Sequence, residues 1–357
     1  MALFWVSILV ISALSGFTWL LARGVERRFP AHGDMTDVGG YRLHALHIKR
    51  PENADLPPIV FIHGASGNLR DQSGAFLSSL EGRAEMLFVD RPGHGWSERG
   101  GPHNAYPDGQ ARAIATLMER KGIDDAIVVG HSFGGVIAAA MALERPERVR
   151  GLLLLSSPTH PWQGGVDFYY RLVTMPMIGR LFCHLLVMPL GLLLAGPAVK
   201  RVFAPDLCVT DYEEDTAIPL VLRPRQFQAN ARDVVNLFDH IVVTAPKYRT
   251  MKTPAVILSG LEDTIVSPIQ HSVALVEDMD NAELVMLEGV GHKPDYVATG
   301  LCTAALEKLS GAPVDLEALK HAYQRNRAAH RRGKAADFAS DKDKAAAQMP
   351  DMPSEPI

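Results

Sequence analysis

The chain has 357 residues, enough for one large α/β domain with an insertion or for two modest domains. Its formal charge of −4, from 36 basic and 40 acidic residues, and its 47% hydrophobic content describe an ordinary globular enzyme and exclude a nucleic-acid binder. Cys183, Cys208 and Cys302 lie apart, without C-x-x-C or paired histidines, so neither a disulfide framework nor a zinc site is expected.

The first predicted element is Ala2 to Ala22, 21 residues without a charge. As a helix at about 1.5 Å per residue it reaches about 30 Å, the thickness of a bilayer's hydrocarbon core. Trp5 and Trp19 stand near its ends, where interfacial aromatics are favoured. Arg23, Arg27 and Arg28 follow, with Glu26 against them. Nothing basic precedes the run, unlike the leader of a cleaved signal peptide. Residues 1–23 are therefore expected to form a retained single-pass anchor outside the globule, with a cleaved signal as the alternative. The positive-inside bias then puts the globular domain in the cytoplasm, an exported domain being the alternative.

Tyr41 to Ile48 alternates and reads as part of an opening antiparallel hairpin, counted here as strands one and two. Strands three to eight are the short apolar runs Ile59–Ile62, Met86–Val89, Ala126–Val129, Gly151–Leu155, Ala255–Leu258 and Leu284–Leu287, as expected when both faces are covered. Helical patterns separate most of them, notably Asp108 to Arg120 and Gly135 to Glu144. Such alternation gives a parallel, doubly wound sheet with sites at the strands' carboxyl ends. The globular core is expected over residues 37–157 and 253–310.

Gly130-His131-Ser132-Phe133-Gly134 joins the fifth strand to the following helix. In that context G-x-S-x-G means a nucleophile elbow, with Ser132 at a strained apex and glycines where a Cβ would clash. The bland alternative is a glycine-rich turn whose serine merely caps the helix. Attack on an acyl carbon creates an oxyanion, for which the backbone N–H groups of Phe133 and Ala65 are the expected donors. Ala65 lies in His63-Gly64-Ala65-Ser66 after the third strand, where His63 reads as a loop organiser. A serine nucleophile needs a base held by a buried carboxylate. Asp263, in the Ser259–Pro268 stretch after the seventh strand, is the expected acid, with Glu262 the fallback. His292, in Gly291-His292-Lys293-Pro294 after the last strand, is the expected base, and the order Ser, Asp, His fits.

Residues 158–252 are too many for a crossover and are expected to be an inserted helical cap. Phe168–Val173 and Met175–Val202 are rich in Leu, Met and Val, broken by Pro176, Pro189 and Gly191. The uncharged run Leu185–Val199 is too short and interrupted for a membrane span. Its apolar surface is expected to pack onto the core; a sharper reading has part of it dipping into lipid or lining an acyl tunnel. Residues 311–357 read as a tail: a polar helix from Leu316 to Arg332, then a disordered Ala-, Asp-, Lys- and Pro-rich stretch. Its basic run from Lys320 to Lys334 is a candidate contact for anionic lipid.

On the elbow, His63-Gly64, Asp90-Arg91-Pro92-Gly93-His94-Gly95-Trp96-Ser97, Gly260-x-x-Asp263-x-x-Val266 and Gly291-His292, the chain resembles the α/β-hydrolase superfamily, in its capped serine-nucleophile branch, from Asp37 to Leu309. The resemblance implies a mostly parallel eight-stranded sheet, helices on both faces and a helical cap after strand six. It also implies that Asp90 and His94 belong to a structural loop at the pocket wall. Serine at the nucleophile position argues against haloalkane dehalogenase and epoxide hydrolase chemistry.

The expected function is a membrane-anchored serine hydrolase of carboxylic esters with apolar acyl groups, acting on a small-molecule or lipid ester. The alternative is a C–C bond hydrolase or a haloperoxidase- or perhydrolase-like enzyme with the same triad. A non-catalytic binding protein on this fold is the remote one, since all three triad positions are intact. The mechanism requires neither a metal nor an organic cofactor.

Overall fold

The computed structural model describes residues 1–329, as a unit from Met1 to Val314 and a second from Asp315. The first unit is built on one sheet of eight strands: β1 (Asp34–Asp37), β2 (Arg42–Ile48), β3 (Ile59–Ile62), β4 (Met86–Val89), β5 (Ala126–His131), β6 (Val149–Leu155), β7 (Ala255–Gly260) and β8 (Ala282–Leu287). Their spatial order is β1-β2-β4-β3-β5-β6-β7-β8, antiparallel at β1–β2 and β2–β4 and parallel elsewhere. The sheet begins at Asp34, three residues before the expected boundary at Asp37, because Asp34 pairs with Ala45.

The helices in chain order are α1 (Ala2–Arg28), α2 (Leu69–Leu80), α3 (Pro107–Lys121), α4 (Phe133–Glu144), α5 (Phe168–Thr174), α6 (Ile178–Phe182), α7 (Met188–Phe203), α8 (Tyr212–Asp215), α9 (Pro224–Thr244), α10 (Ala274–Asp278), α11 (Pro294–Val297) and α12 (Thr299–Leu309). Local chemistry marks their ends. The Asn68 side chain accepts from the Arg70 N–H to start α2. Pro107 opens α3, and Gly122, at φ 75°, closes it in the left-handed conformation.

Alternate residues of β3 serve the two faces of the sheet. Val60 and Ile62 join the core with Ile114 of α3 and Val136 of α4. Phe61 points the other way, its ring 5.1 Å from Phe76 of α2 and 4.4 Å from Phe88 of β4. Both faces are covered, which is why the central strands read as unbroken apolar runs.

The segment between β6 and β7, where a cap is expected, is helical, and its part from α5 into α9, called the cap below, forms a buried cluster separate from the main core. Ala231 of α9 packs among cap residues, whereas Leu237 and Ile241 of the same helix lie in the main core. The second half of α9 is therefore the crossover helix that a β6–β7 parallel pair requires. The cap proper ends within α9, short of residue 252.

The amino-terminal helix also departs from expectation. It continues beyond residue 23 to Arg28, and Thr18, Leu21, Ala22, Val25 and Phe29 turn one side inward. Val25 and Phe29 share a buried cluster with Val187 and Met188 of the cap. Glu26 accepts from Arg223, and the Trp96 indole N–H donates to the Phe29 carbonyl at 3.2 Å. The first part of α1 is exposed, Leu9 by 70%.

Taken by itself, the second unit is helical over residues 316–329, within the expected helix from Leu316 to Arg332. Arg331, Arg332, Lys334 and the tail expected to be disordered lie outside the described residues.

Candidate active site

Ser132 sits between β5 and α4 with φ 51° and ψ −121°, a conformation an L-residue holds only under constraint. The constraint is the close approach of strand and helix. A Cβ on Gly134 would collide with the Ile62 carbonyl, and one on Gly130 with the backbone of Gly134 and Gly135. The Ser132 N–H is tied to the Leu155 carbonyl at 2.8 Å, fixing the apex against β6. Phe133 is the first residue of α4, so its N–H has no acceptor within the helix.

His292 and Asp263 meet on the loops after β8 and β7. The His292 Nδ1–H donates to Asp263 Oδ2 at 2.7 Å, which leaves Nε2 with a free lone pair. Asp263 Oδ1 accepts the N–H groups of Ile265 and Val266 at 2.8 and 2.9 Å. Burial pushes the Asp263 carboxyl up, but His292 and these two N–H donors outweigh it and hold the group below the ordinary value. Asp263 is buried, while Glu262, the fallback acid, is exposed. The carboxylate on the imidazole is therefore Asp263. The His292 carbonyl accepts the His131 Nε2–H at 2.8 Å, joining the histidine loop to the residue before Ser132.

The loop after β3 lies against the elbow, where a Cβ on Gly64 would come within 3.2 Å of Ser132 Cβ. Ala65 follows, half-buried. His63 organises this loop: its Nδ1–H donates to the Gly64 carbonyl at 2.8 Å, and its Nε2 accepts the Arg91 N–H at 3.1 Å. Burial and the Arg91 charge push His63 down to about 3, so it is a neutral acceptor at physiological pH. Asp90 accepts from the backbone of Leu69 and Trp96 and from His44, all within 2.8 Å, which makes it a structural knot.

Two buried ionic networks around these loops escaped sequence reasoning. Arg91 is fully buried and lies 4.5 Å from the centre of the Phe133 ring. It donates to the Gly64 carbonyl, to Gln110 and to Asp233 of α9 at 3.0–3.1 Å. Asn230 of α9 grips the same loop through the Ser66 N–H and hydroxyl. On the far side, Lys293 Nζ lies 2.9 Å from both Asp71 and Asp295. Asp71, His131 and Asp295 offer the donor set of a metal site, but the Lys293 ammonium lies between the two carboxylates. Burial opposes both charges of the Asp71–Lys293 pair. Their attraction prevails, lowering the carboxyl and raising the ammonium.

A mostly parallel eight-stranded sheet with a strained serine after β5 and an Asp–His pair after β7 and β8 defines a class. The family model described as "alpha/beta hydrolase fold" matches residues 57–294, and the chain belongs to that family. An uncharacterized protein of Mycobacterium tuberculosis is 30% identical over 257 residues, covering 67% of this chain and 70% of its own. A 2-hydroxy-6-oxononadienedioate/2-hydroxy-6-oxononatrienedioate hydrolase of Burkholderia vietnamiensis is 28% identical over 292 residues, 79% of this chain and 90% of its own. Among solved structures, an enol-lactonase from Burkholderia xenovorans superposes with a TM-score of 0.61 at 19% identity, over 77% of this chain and 99% of that one.

Proposed function

We propose that the protein is a membrane-anchored serine hydrolase that cleaves carboxylic esters of uncharged, apolar acyl groups. The observation that carries this is the hydrogen-bonded His292–Asp263 pair on the loops beside a serine held at φ 51°. In this reading Ser132 attacks the ester carbonyl and His292 Nε2 takes its proton. Asp263 stabilises the imidazolium that forms. The Phe133 and Ala65 N–H groups hold the oxyanion, and the protonated His292 then gives its proton to the leaving alcohol. Water, activated by the same imidazole, releases the acid. The 27-residue α1 anchors the chain, and the arginines at its end favour a cytoplasmic domain.

The charge balance around the site supports an uncharged substrate. Arg91 is already bound to Asp233, and Lys293 to Asp71 and Asp295. Neither is left to receive a substrate carboxylate. The second reading is C–C bond hydrolysis with the same triad, favoured by the Burkholderia vietnamiensis relative, whose named substrates are dicarboxylates.

Product analysis separates the two. On neutral esters from acetyl to medium chain, kcat/KM should rise with length, since burying each CH₂ gains about 0.8 kcal/mol. A preference for acetyl esters would overturn the apolar acyl site. Turnover of an oxo-dienedioate without ester hydrolysis would favour the second reading.

A further inference from the structure

We propose that the cap is itself a membrane-docking surface, with the outer face of α6 and α7 embedded in the leaflet that α1 crosses. The inference rests on the anchoring role proposed for α1 and adds a second contact. The uncharged run of α1 ends at Ala22, and Thr18, Leu21 and Ala22 already belong to its inward-facing side. Leu21 and Ala22 pack against the buried cap cluster that contains Val187 and Met188. The stretch of α1 that touches the cap therefore overlaps the stretch long enough to fill the hydrocarbon layer. If α1 is in the bilayer to its last apolar turn, the cap residues beside it stand at bilayer depth.

The cap carries the surface that such a position requires. α6, a π-helical stretch Cys183–Val187 and α7 run on without a break from Ile178 to Phe203. Met177, just before α6, is 84% exposed, and along the helices Leu193 is 76% and Leu194 62% exposed, with Ile178, Leu181 and Leu190 also bare. Scattered exposed apolar residues need no explanation, but a contiguous helical face marks an interaction site. Phe168 to Phe203 contains no acid, whereas Arg171, Arg180, Lys200 and Arg201 are exposed on it. Cations rimming an apolar face match anionic headgroups over acyl chains.

This helix lies on the membrane and does not cross it. Gly179, near its start, packs against the Val173 backbone, and Ala204, just past its end, packs against Gly291. Between these ends Cys183, Val187, Met188, Val199 and Phe203 are buried against the rest of the unit, so one whole side of the helix is covered by protein and only the other can face lipid. The contact at Gly291 is next to His292, so α7 joins the lipid-facing surface to the candidate base.

The test uses the full chain with Cys208→Ser, reconstituted in phosphatidylcholine–phosphatidylglycerol vesicles. An environment-sensitive fluorophore is placed at Leu193→Cys, at Leu9→Cys or at Glu147→Cys. Fluorophores at 193 and 9 should be quenched by doxyl-labelled lipid and shielded from iodide, and the one at exposed 147 should show the reverse. If position 193 behaves like 147 while position 9 is lipid-quenched, cap docking is overturned and the anchor stands. If 9 and 193 both behave like 147, the anchor and cap docking fall together. As a second readout, Leu193→Glu with Leu194→Glu should lower hydrolysis of a vesicle-dispersed long-chain ester about tenfold or more. Hydrolysis of a soluble short-chain ester should not change. Equal rates on the vesicle ester would also overturn cap docking.

Discussion

Asp263 shows how much one side chain can organise. Its Oδ2 takes the His292 proton donor while Oδ1 is saturated by two backbone N–H groups, so the carboxylate cannot rotate away from the imidazole. Asp263→Asn should keep this geometry approximately but hold the wrong tautomer. It is expected to lower kcat by about 10³–10⁴ with little change in KM. Steady-state kinetics checks this, with Glu262→Gln as the control: its exposed side chain should be silent, and a large loss there would reassign the acid. The strained turn at Ser132 and the Asp263–His292 pair were legible because each residue stands in a short motif after a strand. The buried partners were not. Arg91 and Asp233 are 142 residues apart, and Lys293 and Asp71 are 222 apart, so no local pattern announces either pair.

At the level of elements, α1 and α9 each do two things that one dimension of sequence conceals. A run of 21 uncharged residues has no charged face to reveal which side packs, so the inward row that begins at Thr18, Leu21 and Ala22 and goes on past the run to Val25 and Phe29 could not be read from it. α9 is 21 residues long and passes from the cap core to the sheet, and its amphipathic pattern does not say where one neighbour gives way to the other. The strands were legible for the opposite reason: short apolar runs between helical segments have few other readings. Phe29 is the pin of the α1–cap joint, 2% exposed. Phe29→Ala should destabilise the protein by about 3–5 kcal/mol in denaturant titration of the detergent-solubilised chain. A change below about 1 kcal/mol would mean that α1 is not part of the cap's core.

Over the whole molecule, stability should depend on pH through histidines that fold in their neutral form. Burial pushes His131 down to about 4 and His63 to about 3, and carries His94 well below its ordinary 6.5. Their folded values lie below the unfolded one, so between pH 6.5 and 4 the unfolded chain binds more protons than the native chain. Stability should be intact above pH 6.5 and fall on acidification, by up to about 1.4 kcal/mol per pH unit for each such histidine. Chemical denaturation at pH 7.5 and pH 5 checks the sign. Equal or greater stability at pH 5 would contradict the neutral buried forms.

The proposed function turns on whether Ser132 becomes acylated. Intact-mass spectrometry after treatment with a fluorophosphonate, followed by peptide mapping, tests it directly. A single adduct on Ser132 is expected, with its loss together with ester turnover in Ser132→Ala and much slower labelling in His292→Ala. An unlabelled Ser132, or wild-type turnover by Ser132→Ala, would contradict it.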